Sequence, residues 1–163
     1  MDKEKLLMIK KYIEDNYIPY NGPICGCDSK IDSIGKFDLE ALRKRVNKNI
    51  SYSWQQSLFD YIDEKGMSEV EVYKRADISK QVFSKIRSNE SYHPDKDTAI
   101  CLCIGLRLNI DETIDLLSKA GYTLSSSIER DLIIRYFIEN NEYNMLEINE
   151  ILYDMNLKTF SKK

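Results

Sequence analysis

Along most of the chain, apolar residues recur three and four positions apart, and no stretch alternates with period two. That pattern predicts helices and no strands, because side chains three and four apart share one helix face. In residues 3 to 18, Leu6, Ile9, Ile13 and Tyr17 form such a stripe, with Asp2 as the expected N-cap. Pro19, Gly22, Pro23, Gly26 and Gly35 then punctuate a stretch too long for an ordinary connection, which reads as a linker. A short helix is expected from Asp38 to Val46.

From Ser53 the pattern becomes dense. Trp54, Leu58, Tyr61 and Ile62 lie on one face of a helix that Gly66 ends. Ser68, followed three residues later by Glu71, predicts a capping box on the next helix. Ser79 opens a third helix, which buries Val82, Phe83 and Ile86. Beyond Pro94, with Asp95 or Asp97 as cap, "DKDTAICLCIGLRL" reads as a buried helix. A fifth, "NIDETIDLLSKAG", runs from an Asn or Asp cap to Gly121. Two more follow, one with Ile128, Leu132 and Phe137 and one with Leu146, Ile151 and Met155. The expected fold class is all-α. Residues 1–51 form an N-terminal helix, loop and short helix, 52–123 a five-helix domain, and 124–163 two helices packed on it.

Composition fits a globular protein. The 163 residues are 42% hydrophobic and 31% charged, too apolar for a disordered chain. No apolar run approaches the roughly 18 residues of a spanning helix, and "MDKEKLLMIKK" carries no apolar signal block. The expected location is the cytoplasm, with no membrane partner.

The four cysteines form two C-x-C pairs, Cys25/Cys27 and Cys101/Cys103. Structural zinc sites use longer spacings, and on a helix the side chains of Cys101 and Cys103 point about 200° apart. Reduced thiols and no metal site are the expectation. His93, the single histidine, reads as a loop residue. With no glycine-rich phosphate loop and no metal-ligand cluster, no set of nucleophile, base and oxyanion donor can be assembled. Asp111, Glu112 and Asp115 read as helix-start charges. No catalytic residue and no cofactor are expected.

Charge changes the picture at one place. The chain carries 24 basic and 27 acidic residues, and segment 52–123 alone has nine basic against twelve acidic. Yet "KRADISKQVFSKIRS" sets Lys74, Arg75, Lys80, Lys85 and Arg87 against Asp77 alone. With Val82, Phe83 and Ile86 turned inward, Lys80, Gln81, Ser84, Lys85 and Arg87 remain on the outer face.

Five short helices with a three-residue turn between the second and third match the helix-turn-helix plan. Residues 54 to about 121 resemble the lambda-repressor-like domain of the XRE type, through "MSEVEVYKRADISKQVFSKIRSN", Pro94 with its apolar helix, and "LNIDETIDLLSKAG". Val72, Ala76, Ile78, Val82 and Ile86 fall at the core positions of that family. A looser resemblance, from "SLFDYIDEKG" to "INEILYDM", is to a module of uncharacterised bacterial proteins, appended to some macrodomain proteins.

The resemblance implies a DNA-binding transcriptional regulator acting on double-stranded DNA. Its reading helix would present Lys80, Gln81, Ser84, Lys85 and Arg87, with Lys74, Arg75 and Lys96 near phosphates. Three departures from the pattern stand out: Glu69 in place of a phosphate-touching glutamine, Tyr73 in place of a small alanine, and Asp77 in place of the turn glycine. They keep a second expectation in view, a helical protein-interaction adaptor. A homodimer is expected, through Ile128, Leu132, Phe137, Leu146 and Ile151 or through the N-terminal helix. The alternative is that both stripes close one monomeric bundle.

Overall fold

A computed structural model describes residues 3–18, 53–89 and 92–161. The described residues form eight helices and no strand, so the chain is all-α as expected. They are α1 (Lys3–Asn16), α2 (Trp54–Glu64), α3 (Glu69–Arg75), α4 (Lys80–Ser88), α5 (Lys96–Gly105), α6 (Ile110–Lys119), α7 (Glu129–Glu139) and α8 (Met145–Asp154). The Asp2 cap, the linker from Pro19 to Gly35, Cys25 and Cys27, and the helix expected from Asp38 to Val46 lie outside the described residues.

Short polar side chains start most of these helices by accepting hydrogen bonds from first-turn amides that have no helical partner. Ser53, Ser68 and Ser79 accept from Gln56, Glu71 and Val82. Asp95, not Asp97, caps α5, accepting from Thr98 at 2.7 Å. Asn109 and Glu112 form a full capping box on α6. The box expected at Ser68 and Glu71 closes only halfway, because the Glu71 carboxylate turns along the helix to Arg75 at 2.6 Å.

Six helix ends share one device. Gly66, Asp77, Arg107, Gly121, Asn141 and Asn156 all have φ between 52° and 72°. In each case the next residue's amide reaches back to a last-turn carbonyl, as in Ile78 to Tyr73 at 2.9 Å and Leu108 to Cys103 at 3.1 Å. The turn before α4 is thus set by Asp77, a residue type that tolerates the left-handed conformation.

α5 is the axle. Every residue from Thr98 to Gly105 is buried, and α3 and α6 pack around it. Cys101 and Cys103 are both buried on this helix as thiols rather than as a disulfide, and burial pushes the Cys103 thiol up. α2 packs on α6, α7 on α6 and α8, and α1 on α7, so one core holds side chains from all eight helices. At the edges the core is sealed by polar tips, as where the Tyr61 hydroxyl donates to Asp115.

The α1 stripe closes within the chain at Leu6, Ile9 and Ile13, whereas Tyr17 lies just past the helix end and is exposed. Ile9 and Ile13 are buried, the Tyr12 ring meets Tyr136 edge-on, and Lys5 bridges Glu142 and Glu147. The Ile18 amide donates to the Ser126 carbonyl, fixing the end of the segment to the loop before α7. This corrects the expected dimer surface. Leu132, Phe137 and Ile151 are at most 1% exposed, within a core where α7 packs on α1, α6 and α8. Ile128 and Leu146 lie outside the core, and the buried face of α8 is Ile148, Ile151 and Leu152.

Candidate nucleic-acid interface

α4 is amphipathic with a sharp division. Phe83 and Ile86 are buried and Val82 is half-buried, whereas Lys80, Gln81, Ser84, Lys85 and Arg87 are all exposed. At 100° per residue, positions 80, 84 and 87 share one strip and 81 and 85 the adjoining one. The five candidate side chains of this helix therefore occupy one continuous outer surface.

The inward face is firmly seated. The Phe83 ring packs against Tyr73 at 5.8 Å and edge-on to Phe59 at 6.3 Å. Tyr73 thus stands beside α4 as a packing partner rather than a spacer. The tight approach lies elsewhere, between α3 and α5, where Ala76 meets Gly105. At the far end of α4, the Gln55 side-chain amide donates to the carbonyls of Ile86 and Arg87. That clamp escapes sequence reading, since Gln55 lies 31 residues away from Ile86 and glutamine is a common surface residue.

Lys74 and Arg75 lie exposed on the last turn of α3, next to the turn that leads into α4. The structure divides the five cations of this region into two kinds. Arg75 pairs with Glu71 at 2.6 Å and Arg87 with Glu69 at 2.9 Å. Lys74, Lys80 and Lys85 pair with no acid among the described residues. Lys96 does not belong to this surface. Its ammonium is 2.5 Å from the Asp131 carboxylate, which is 2% exposed and also accepts from the Ser125 amide. A buried carboxylate must be paired, so this lysine is committed to the core edge.

Glu69, which stands in place of the family's phosphate-touching glutamine, is the partner of Arg87 and joins the start of α3 to the end of α4. Asp111 lies in the first turn of α6, and Glu112 and Asp115 both have structural partners. Glu112 caps α6 and holds Lys65, and Asp115 holds Lys119, whose hydrogen bond keeps the Asp115 carboxyl below its usual range. Among the described residues, no three His, Cys, Asp or Glu side chains are grouped to hold a metal ion. His93 is exposed beside the Tyr122 ring. No described helix is long and apolar enough to cross a membrane. In comparisons with known proteins, no family, no curated relative and no solved structure matches this chain.

Proposed function

We propose that the chain is a DNA-binding protein of lambda-repressor-like helix-turn-helix type, a transcriptional regulator in which α3 and α4 form the motif and α4 reads the major groove. The observation that carries this reading is the division of α4. Its apolar side is locked by Phe83 and Ile86, and its outer side presents lysine, glutamine, serine and arginine without an apolar interruption. A rigidly seated helix with such a face can offer bidentate Gln81 to adenine and Lys80 to guanine. In this reading Lys74 and Lys85 neutralise phosphates, the source of most sequence-independent affinity.

A single reading helix contacts few bases, so a second copy on a half-site about 34 Å away belongs to the proposal. With Leu132, Phe137 and Ile151 buried, the apolar side chains left for a partner include Leu7, Met8, Leu146 and Tyr153, each more than half exposed. A second reading, a protein-interaction adaptor, is favoured by the Glu69–Arg87 and Glu71–Arg75 pairs, which cancel two of the five cations. Selection from random duplexes, followed by binding measurements in low salt, decides between them. Enrichment of a common sequence supports the regulator, and no retention of any duplex supports the adaptor.

A further inference from the structure

We propose that Glu69 is a built-in brake on DNA binding, masking the Arg87 guanidinium that would otherwise grip a phosphate. This rests on the DNA-binding reading above. Arg87 stands on the same strip of α4 as Lys80 and Ser84, and its side chain is 64% exposed, so it faces where a duplex would lie. Its Nη2 is nevertheless held 2.9 Å from Glu69 Oε1. The pair contributes no net charge to that surface, and a phosphate reaching Arg87 meets the carboxylate as well.

The Arg75–Glu71 pair is different in kind, because it spans one turn of a single helix and is available to α3 alone. The Glu69–Arg87 pair ties α3 to α4 across 18 positions of sequence. Its arginine end is open to solvent while Glu69 is half-buried, and an ion pair that solvent reaches is weak enough to exchange. A competing anion, or a change at Glu69, releases the arginine without unfolding the helix. Phe83, Ile86 and the Gln55 clamp still hold α4 in place.

The test is binding of a short fluorescent duplex by the full chain over a salt series, comparing the parent with Glu69→Gln. Release of Arg87 to one phosphate is expected to tighten binding several-fold at low salt. It should also steepen the dependence of log K on log salt by about one. Glu150→Gln, on the exposed face of α8, makes the same change in net charge and is expected to leave the slope unaltered. The double variant Glu69→Gln/Arg87→Ala should return to the slope of the parent. Unchanged or weaker binding by Glu69→Gln overturns the brake while leaving the DNA reading intact. A gain that survives in the double variant shows that the freed arginine is not its source, and overturns the masking. Binding by Glu69→Gln where the parent binds nothing supports it in its strongest form. No binding by either protein at low salt overturns the DNA reading itself, and the brake with it.

Discussion

Gly105 on α5 lies so close to Ala76, at the end of α3, that a Cβ on the glycine would sit 2.8 Å from the alanine Cβ. It would also lie 2.9 Å from the Ala76 amide nitrogen and 3.0 Å from the Val72 carbonyl oxygen. Two of the three obstacles are backbone, so no side-chain movement relieves them. Gly105→Ala gains helix propensity of about 1 kcal/mol. Overpacking in a filled core costs about 1 to 3 kcal/mol, and here the larger figure should prevail. Denaturant unfolding should show a net loss, and Ala76→Gly should fail to rescue it because the backbone contacts remain. Full rescue would mean that the alanine methyl alone limits the approach.

Arg107 offers the reverse case. It occupies the left-handed region at φ 53°, where every other described residue is Gly, Asn or Asp. Its side chain is exposed. The left-handed conformation costs an ordinary residue about 1 to 2 kcal/mol, and glycine avoids that strain at an entropic cost in the unfolded chain. Arg107→Gly should therefore raise stability by about 0.5 to 1 kcal/mol, or a few degrees in Tm. Gly121→Ala, at φ 72° with open space around its Cα, should lower it by a similar amount. Equal melting of both variants and the parent would dispose of the strain argument.

What was legible in the sequence is what is local. Caps at Ser68, Ser79 and Asn109 and the glycine stops at 66 and 121 follow from residues three or four apart, and they were readable. The inward Phe83 and Ile86 and the outward Lys80 and Gln81 followed from the same periodicity. Contacts across the chain were not readable. Lys5 meets Glu147 across 142 positions and Lys96 meets Asp131 across 35, and nothing in an isolated lysine announces its acid. For the same reason the sequence shows Glu69 only as a departure from the family pattern, without its partner Arg87, and shows Leu132 and Phe137 as surface for a second copy. An apolar stripe shows that something covers it, and not whether the cover is the same chain.

Lys96 was expected near phosphate, and its pairing with Asp131 leads to a different expectation. Removing the cation leaves a carboxylate that is 2% exposed with the Ser125 amide as its remaining hydrogen-bond donor. Breaking one side of a buried pair typically costs about 3 to 5 kcal/mol. Lys96→Met should approach that loss, whereas Asp131→Asn should cost less, because Lys96 is partly exposed and can turn to water. If Lys96→Met instead melts like the parent and weakens DNA binding, the lysine belongs to the interface.

Phe83 and its neighbours separate stability from recognition. Phe83 is 3% exposed and packed between Tyr73 and Phe59, so Phe83→Ala should cost about 3 to 5 kcal/mol. Lys80→Ala and Gln81→Ala, on the exposed side, should change stability by no more than about 0.5 kcal/mol. Each should weaken a selected duplex over a random one by about 1 to 3 kcal/mol if it meets a base edge. Equal losses on both duplexes would assign these side chains to the phosphates.

The docking of α1 carries a titratable mark. The Tyr12 hydroxyl donates to Glu139 at 2.6 Å, and burial, followed by that carboxylate, pushes its pKa up to about 12. In the unfolded chain the same hydroxyl ionises near 10. The folded state therefore retains a proton that the unfolded state gives up as pH rises through that interval. Stability from this group is complete below about pH 10 and is lost progressively toward pH 12. Tyr61 behaves alike, raised to about 12 by burial and by Asp115, so the two contributions must be separated. Tyr12→Phe should be less stable than the parent at pH 8, having lost its hydrogen bond, and should lose less on going to pH 11. Tyr61→Phe should show the same flattening. In the double variant this share of the alkaline fall should vanish. Helical circular dichroism in denaturant at each pH reads all four proteins. A Tyr12→Phe variant that falls as steeply as the parent would show that α1 owes its place to Ile9, Ile13 and Lys5 without the hydroxyl.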